Sequence, residues 1–232
     1  PKNSGKDSVE LERTPLSSEE NKTLVAEEEK SRDSIEGTST TVQGKEWKDV
    51  IKHAVNIELD NETSHVCLKI SGAKSVSYTP ESQNKTSSMR FLCHPCVVGK
   101  QSFPYGQHYW EVEVEDPVRR EVKKSWRVGV AAASVDRRSS DPLSTEKRFW
   151  LFSYDETKGC HANTHPAETV FKGLKLKRLG VLLDCDKQTV SFYNPEQKEL
   201  LFTHKELCKG AILPLFSPGE SDFCPLTITD LK

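Results

Sequence analysis

Aromatic residues are absent from the first 46 positions of this 232-residue chain. All four Trp, five Tyr and nine Phe residues lie from Trp47 onward. Residues 1–45 instead carry seven Lys or Arg and ten Asp or Glu, among many Ser and Thr. Such a segment buries too little apolar surface to offset an ordering cost of about 1–2 kcal/mol per residue for the backbone. Composition therefore predicts a flexible, acidic linker over residues 1–45 and a folded domain over residues 46–232.

The chain also lacks the features that mark several functional classes. No apolar run approaches the roughly 18 residues of a transmembrane helix, so we expect membrane contact only through segments outside this chain. The formal net charge is −2, which argues against a nucleic-acid partner. Neither a Gly-x-Ser-x-Gly string nor a Gly-rich phosphate loop occurs. We predict no cofactor.

The chain has seven cysteines, an odd number, and most lie inside apolar runs. This is typical of free thiols in a reducing, cytosolic compartment. The string CHPC at residues 93–96 has the spacing of half a zinc site, but no second Cys-x-x-Cys follows. Cys160 and His161 are the nearest alternative ligands. Since a zinc site needs about four ligands, we predict no metal site.

Short strands separated by turns fill the sequence after Trp47, and only residues 46–55 show helical spacing of apolar side chains. Many short strands with Gly and Pro turns between them indicate a sandwich or barrel. The pattern therefore predicts an all-β fold with a short lead-in helix. The candidate strands are residues 55–59, 66–70, 75–78, 96–99, 108–115, 126–132, 149–154, 179–184, 189–194, 200–204, 212–216 and 226–230.

The clearest alternation is in HYWEVEVE at residues 108–115. Trp110 and the valines after it share one face, which we predict to lie in the core. Glu111 and Glu113 share the other, which we interpret as a solvated sheet face. A glycosidase would need two carboxylates flanking a cleft, and neither this row nor Asp184 indicates one. We predict no catalytic residue.

Three separated strings resemble the PRY-SPRY family, which is found in tripartite-motif ubiquitin ligases and in the cytosolic tails of butyrophilins. They are VNIELDNETSHVCLKIS at residues 55–71, YGQHYWEVEVED at 105–116 and LGVLLDCDKQTVSFYN at 179–194. The resemblance implies a bent antiparallel β-sandwich of two sheets. Its PRY part would span about residues 46–97, and its SPRY part about residues 98–230.

The resemblance also implies recognition through variable loops gathered at one end of the sandwich. By position these loops are residues 72–90, 115–124, 134–148 and 155–169. The second is basic, and it is either a solvated turn or a contact surface for an acidic protein partner. The residues of that contact surface would be Arg119, Arg120, Lys123 and Lys124.

A small anionic ligand is a second possibility that the resemblance implies, because some butyrophilins hold a phosphoantigen in a basic pocket. Positions lining that pocket match His94, Arg127 and His161 in this chain, and His165 is nearby in the sequence. Ala167 stands where the family pocket has a basic residue. Histidine donors would hold an anion more firmly below about pH 6.5.

We therefore expect a non-catalytic recognition module on the cytoplasmic side, similar to the intracellular domain of a butyrophilin-like, immune-regulatory membrane protein. The alternative is the substrate-recognition domain of a tripartite-motif ubiquitin ligase, whose ligase activity would reside outside this chain. That alternative would place a coiled coil just before Trp47. Residues 1–45 show no heptad pattern, which favours the first interpretation.

Overall fold

The structure is a computed structural model. Residues 1–33 of the expected linker, Arg119 and Arg120 of the basic loop, and Ala167 lie outside the described residues. The residues that the structure describes are 34–115, 123–165, 168–220 and 223–231.

The strands form two sheets. Sheet A contains β1 (Ile35–Glu36), β5 (Val97–Val98), β7 (Ser125–Ala132), β8 (Phe149–Asp155), β9 (Gly159–Ala162), β10 (Thr169–Phe171) and β14 (Ile212–Ser217). Sheet B contains β2 (Thr40–Thr41), β3 (Leu68–Ser71), β4 (Ser75–Tyr78), β6 (Gln107–Glu113), β11 (Arg178–Asp184), β12 (Thr189–Asn194), β13 (Glu199–His204) and β15 (Leu226–Ile228). The helices are α1 (Gly44–Ile51) and a 3-10 turn (Asn61–Thr63).

The strand order is β1-β10-β9-β8-β7-β14-β5 in sheet A and β2-β13-β12-β11-β6-β15-β4-β3 in sheet B. Neighbouring strands are antiparallel, except that β1 runs parallel to β10. The inner faces of the two sheets share one apolar core, in which Trp110, Phe152 and Phe192 are fully buried. The prediction of an all-β sandwich with Trp110 in the core is confirmed.

Helix α1 covers the outer face of sheet B. The helix begins where the Gln43 amide donates to the Glu46 carboxylate (3.3 Å). Its Trp47 ring packs edge-on against Tyr109 and Tyr193, with ring centroids 6.1 and 5.7 Å apart. Because of this cover, Glu111 is only 5% exposed. The interpretation of its strand face as solvated is therefore wrong at Glu111.

The PRY part covers a portion of the outer face of sheet A. Phe91 and Cys96 lie over Ala131, Leu151 and Leu215 and form a second apolar cluster with them. The rest of this face, toward the start of β7 and the end of β8, keeps polar side chains. The candidate site lies there.

The structure contains several short strands that the sequence pattern did not indicate. Residues 34–43, which composition placed in the linker, carry β1 and β2 on the sheet edges. The expected loop 155–169 contains β9 and the start of β10. Residues 55–59 were expected as a strand, but they form only an isolated bridge, between Leu59 and Gly99.

Candidate functional site

A row of polar side chains crosses the uncovered part of the outer face of sheet A. Strand register pairs Ser217 with Arg127, Arg127 with Ser153, and Ser153 with His161. Directly opposite residues on neighbouring strands project from the same face, so the four side chains lie side by side. A cavity of about 270 Å³, named here the Arg127 cavity, opens over Arg127, Ser153 and His161, whereas Ser217 is fully buried beside them. It is lined by Ser125, Trp126, Arg127, Ser153, Tyr154, Asp155, His161, Gly219 and Glu220.

Arg127 supplies the cation of this cavity. Its side chain is exposed, and no described residue accepts a hydrogen bond from its guanidinium. Gly219 forms the nearby wall with φ at 78°, and a Cβ there would lie 2.1 Å from the Ser125 hydroxyl oxygen. A larger residue at 219 would therefore push the wall away from β7. The guanidinium keeps its planar set of donors for a ligand.

His161 lies beside this cation and is 8% exposed. Its Nδ1 lies 3.0 Å from the Gly159 carbonyl oxygen and 3.9 Å from Oδ2 of Asp155. When Nδ1 carries the proton and donates it to Gly159, the neutral ring presents Nε2 as an acceptor. In that tautomer the row offers a donor at Arg127 and an acceptor at His161.

Two carboxylates complete the lining. Burial alone would raise the pKa of Asp155, but hydrogen bonds from Thr157 and from the Lys158 amide lower it below its ordinary value. Glu220 is exposed at the rim. The lining therefore combines two carboxylates with one guanidinium, which suits a protein segment of mixed charge better than a small polyanion.

The structure brings Arg127 and His161 together but places the other two predicted ligand-binding histidines elsewhere. His94 lines a separate cavity of about 130 Å³, where its Nε2 lies 2.8 Å from the Asp141 carbonyl oxygen. His165 lies 3.4 Å from a carboxylate oxygen of Glu146. Neither lines the Arg127 cavity.

Of the four residues predicted for the basic contact surface, the structure describes Lys123 and Lys124. Lys123 is 1% exposed, and its Nζ donates to the carbonyl oxygen of Cys224. Its side chain therefore points inward and is not presented to a partner, which corrects the expectation for this residue. Lys124 is exposed.

The expected recognition loops do not all lie at one end of the sandwich. Because β7 and β8 are antiparallel, residues 123–124 precede one end of the pair, and residues 134–148 join the strands at the other. This corrects the expectation of a single loop cluster. The Arg127 cavity lies near the first of these ends.

Sequence reasoning did not indicate Ser153 or Glu220, and it included Asp155 only as the first residue of the expected loop 155–169. Ser153 interrupts the apolar strand FWLFSYD, and period-two alternation places it on the face opposite Phe152. That was a usable signal for Ser153. Asp155 and Glu220 lie in or beside turns, where alternation gives no information about direction.

The other chemical groups singled out in the sequence have structural partners. Burial alone would raise the pKa of Asp184, but hydrogen bonds from the Lys187 amide (2.9 Å) and Gln107 (2.5 Å) lower it. In the CHPC string, Cys96 is buried while Cys93 is exposed. Within the described ranges, no three His, Cys, Asp or Glu side chains form a group that could hold a metal ion. No helix in that part of the chain is both long and apolar enough to span a bilayer.

Comparison with known proteins connects this fold to a family. The SPRY domain model matches residues 107–228. Butyrophilin subfamily 2 member A2 of Mus musculus is 31% identical over 208 residues, covering 88% of this chain and 39% of that protein. Zinc finger protein RFP of Homo sapiens is 32% identical over 194 residues, covering 81% of this chain and 36% of that protein. The chain thus spans well under half the length of these relatives.

Solved structures support the same fold. The crystal structure of the TRIM65 PSpry domain superposes with a TM-score of 0.69 at 22% identity, covering 83% of this chain and 98% of that one. Stonustoxin superposes with a TM-score of 0.66 at 23% identity, covering 79% of this chain and 30% of that one. The family model, the relatives and the two-sheet sandwich agree: the chain belongs to the SPRY domain family, in the PRY-SPRY form shared by butyrophilins and tripartite-motif proteins.

Proposed function

We propose that this chain is a non-catalytic recognition module that binds a protein partner at the Arg127 cavity. One observation carries the proposal: the Arg127 guanidinium, from which no described residue accepts a hydrogen bond, stands in a row with Ser153 and His161 on a rigid sheet face. A polar row held by three hydrogen-bonded strands is fixed before binding, so a ligand need not order it. Membership of the SPRY family, whose domains act as interaction modules, supports the same function.

The lining defines the chemistry of the partner. Arg127 would pair with a carboxylate or with backbone carbonyls. Nε2 of His161 would accept from a backbone amide or a hydroxyl, while Asp155 and Glu220 would face a basic side chain. The partner segment would therefore present an acidic or carbonyl group close to a basic one.

For the parent protein, we propose a butyrophilin-like, immune-regulatory membrane protein, with this domain on the cytoplasmic side. Butyrophilins from two mammals are about one third identical over most of this chain. The alternative is a tripartite-motif ubiquitin ligase, since zinc finger protein RFP is equally similar. The full transcript distinguishes them: a membrane-spanning segment before Pro1 supports the first, and a RING domain supports the second.

A charge-reversal experiment tests the binding site. The wild-type chain, an Arg127→Glu variant and an Arg138→Glu control would be used as bait in lysate, and partners compared by quantitative mass spectrometry. Arg138 is also exposed, but it lies in the loop at the other end of the β7–β8 pair. We expect a specific partner to be lost with Arg127→Glu and retained with the control. A set of partners that is identical for all three baits would contradict the proposal.

A small anion remains a second candidate, because Arg127 and His161 are neighbours on one face. Isothermal titration with inorganic pyrophosphate at pH 6 and pH 8 tests it. Heat at pH 6 that is lost with His161→Ala would favour an anion ligand. No heat at either pH would leave only the protein partner.

A further inference from the structure

A second cavity lies on the other side of the sandwich, between α1 and the outer face of sheet B. Its volume is about 300 Å³, and we name it the α1 cavity. Its walls are partly aromatic and aliphatic and partly charged. The lining residues are Trp47, Ile51, Ala54, Tyr109, Glu111, Arg178, Pro195, Glu196 and Leu231.

The charge of this cavity is unbalanced. Glu111, at 5% exposure, accepts hydrogen bonds from the Tyr109 hydroxyl (2.8 Å) and from Nη1 of Arg178 (2.8 Å). The hydrogen bond to Glu111 raises the pKa of Arg178 against the opposing effect of burial, and the charges of Glu113 and Glu196 raise it further. The lining therefore holds two carboxylates, Glu111 and Glu196, against the single guanidinium of Arg178, and its net charge is negative.

The end of α1 forms part of the apolar rim of this cavity. Ile51 is the last residue of the helix, and Ala54 follows it on the cavity wall. Ile51 is also 38% exposed, so the rim offers apolar contact area to an incoming side chain.

An apolar wall beside a negative field fits a long side chain with a cationic end. The methylene groups of lysine or arginine would lie along Trp47 and Ile51, and the charged end would reach Glu196. A cation beside the Trp47 indole gains further attraction from the ring. A carboxylate ligand would instead meet the like charges of Glu111 and Glu196 beside Arg178.

We propose that the α1 cavity binds an arginine or lysine side chain of a protein partner. This site is separate from the Arg127 cavity, because the two open on the outer faces of different sheets. Partner binding at either cavity can therefore fail without affecting the other.

A pair of peptides tests the proposal. Acetyl-Ala-Arg-Ala-amide and acetyl-Ala-Gln-Ala-amide would be titrated into the isotope-labelled chain, and the indole signal of Trp47 and the amides of Ile51 and Leu231 followed by NMR. We expect saturable shifts with the arginine peptide alone, with a dissociation constant on the order of 1 mM. Raising NaCl to about 1 M, where the screening length is about 3 Å, should weaken binding.

Two variants and a control locate the effect. Glu196→Gln should weaken binding about threefold by removing one partly exposed charge pair. Ile51→Ser should weaken it while leaving the charges in place. Glu62→Gln removes an equal charge from the distant 3-10 turn and should leave the affinity for the arginine peptide unchanged. Equal shifts with both peptides, shifts away from α1, undiminished affinity in Glu196→Gln, or no saturable shift would each overturn the proposal.

Discussion

The Tyr109 hydroxyl donates a 2.8 Å hydrogen bond to Oε1 of Glu111, two residues further along β6. Both side chains project from the outer face of sheet B, and they are 0% and 5% exposed. Nη1 of Arg178, on the neighbouring strand β11, donates to the other oxygen of Glu111 at 2.8 Å. Helix α1 covers this cluster through Trp47. A polar strand face thus serves as the base on which the helix packs.

Replacing Glu111 should destabilise the fold. Glu111→Ala leaves the buried Tyr109 hydroxyl and part of the Arg178 guanidinium without an acceptor, so we expect a loss of about 1–3 kcal/mol in the free energy of unfolding. Glu111→Gln keeps one acceptor oxygen and should cost less. Urea unfolding of each variant measures the difference. Glu113→Ala is the control, and an equal loss there would show that Glu111 has no special structural role.

His204 should make stability depend on pH. Burial lowers its pKa from 6.5 to about 4, and its Nε2 donates to the Leu151 carbonyl oxygen (3.1 Å). Between pH 6.5 and 4 the imidazole of His204 is therefore protonated in the unfolded state but not in the folded state. The free energy of unfolding is highest above pH 6.5 and falls as the pH drops toward 4. This pKa shift corresponds to a loss of about 3 kcal/mol at most in the free energy of unfolding. Unfolding in urea at several pH values measures it.

His204→Phe is the matched variant for this pH dependence. It keeps an aromatic ring against Phe192 and Phe202, which flank the imidazole. We expect the variant to lose less stability than the wild type between pH 6.5 and 4. Burial also lowers the pKa of His65, so part of the dependence should remain. Identical pH profiles for the two proteins would show that His204 does not titrate as described.

Two glycines should respond to alanine in opposite directions. A Cβ on Gly129 would lie 2.1 Å from the Trp150 carbonyl oxygen on the neighbouring strand, so Gly129→Ala should cost about 1–3 kcal/mol or more. Gly44, at the start of α1, has open space around the added carbon, and Gly44→Ala should gain about 0.4–1 kcal/mol. Thermal unfolding of both variants checks the pair. A tolerated Gly129→Ala would contradict the close contact between β7 and β8.

The cysteines should differ in reactivity. Cys93 is exposed, whereas burial raises the pKa of Cys96 and of Cys160 to about 12. Since the thiolate is the reactive form, iodoacetamide should label Cys93 well before the other two. Peptide mass spectrometry over a time course measures the order. Labelling of Cys96 at the same rate as Cys93 would mean that the PRY part opens readily.

Much of the fold could be predicted from alternation alone. The strands around Trp110 and Phe192 have a clear period of two, and both rings lie in the core. The burial of Glu111 could not be predicted from alternation, because it depends on where α1 packs against sheet B. β9, with the sequence GCHA, is short and has a glycine and a histidine where an apolar strand residue would be expected. Its identity as a strand depends on pairing with β8.

The candidate site was only partly predictable for a similar reason. Arg127 and His161 were indicated by resemblance, and register places Ser153 between them. Register across three strands is set by tertiary packing, which one sequence does not reveal. The same limit applies to Lys123: its charge indicated a surface contact, whereas its side chain points inward to Cys224.

The most direct test of the central claim is site-specific photo-crosslinking in cells. A photoreactive residue at Glu220, on the rim of the Arg127 cavity, would be compared with one at Lys209, which is exposed just before the opposite end of β14. We expect a discrete crosslinked protein from position 220 that disappears when Arg127→Glu is added, and none from position 209. The same crosslink from both positions, or a crosslink at 220 that survives Arg127→Glu, would contradict recognition at this cavity.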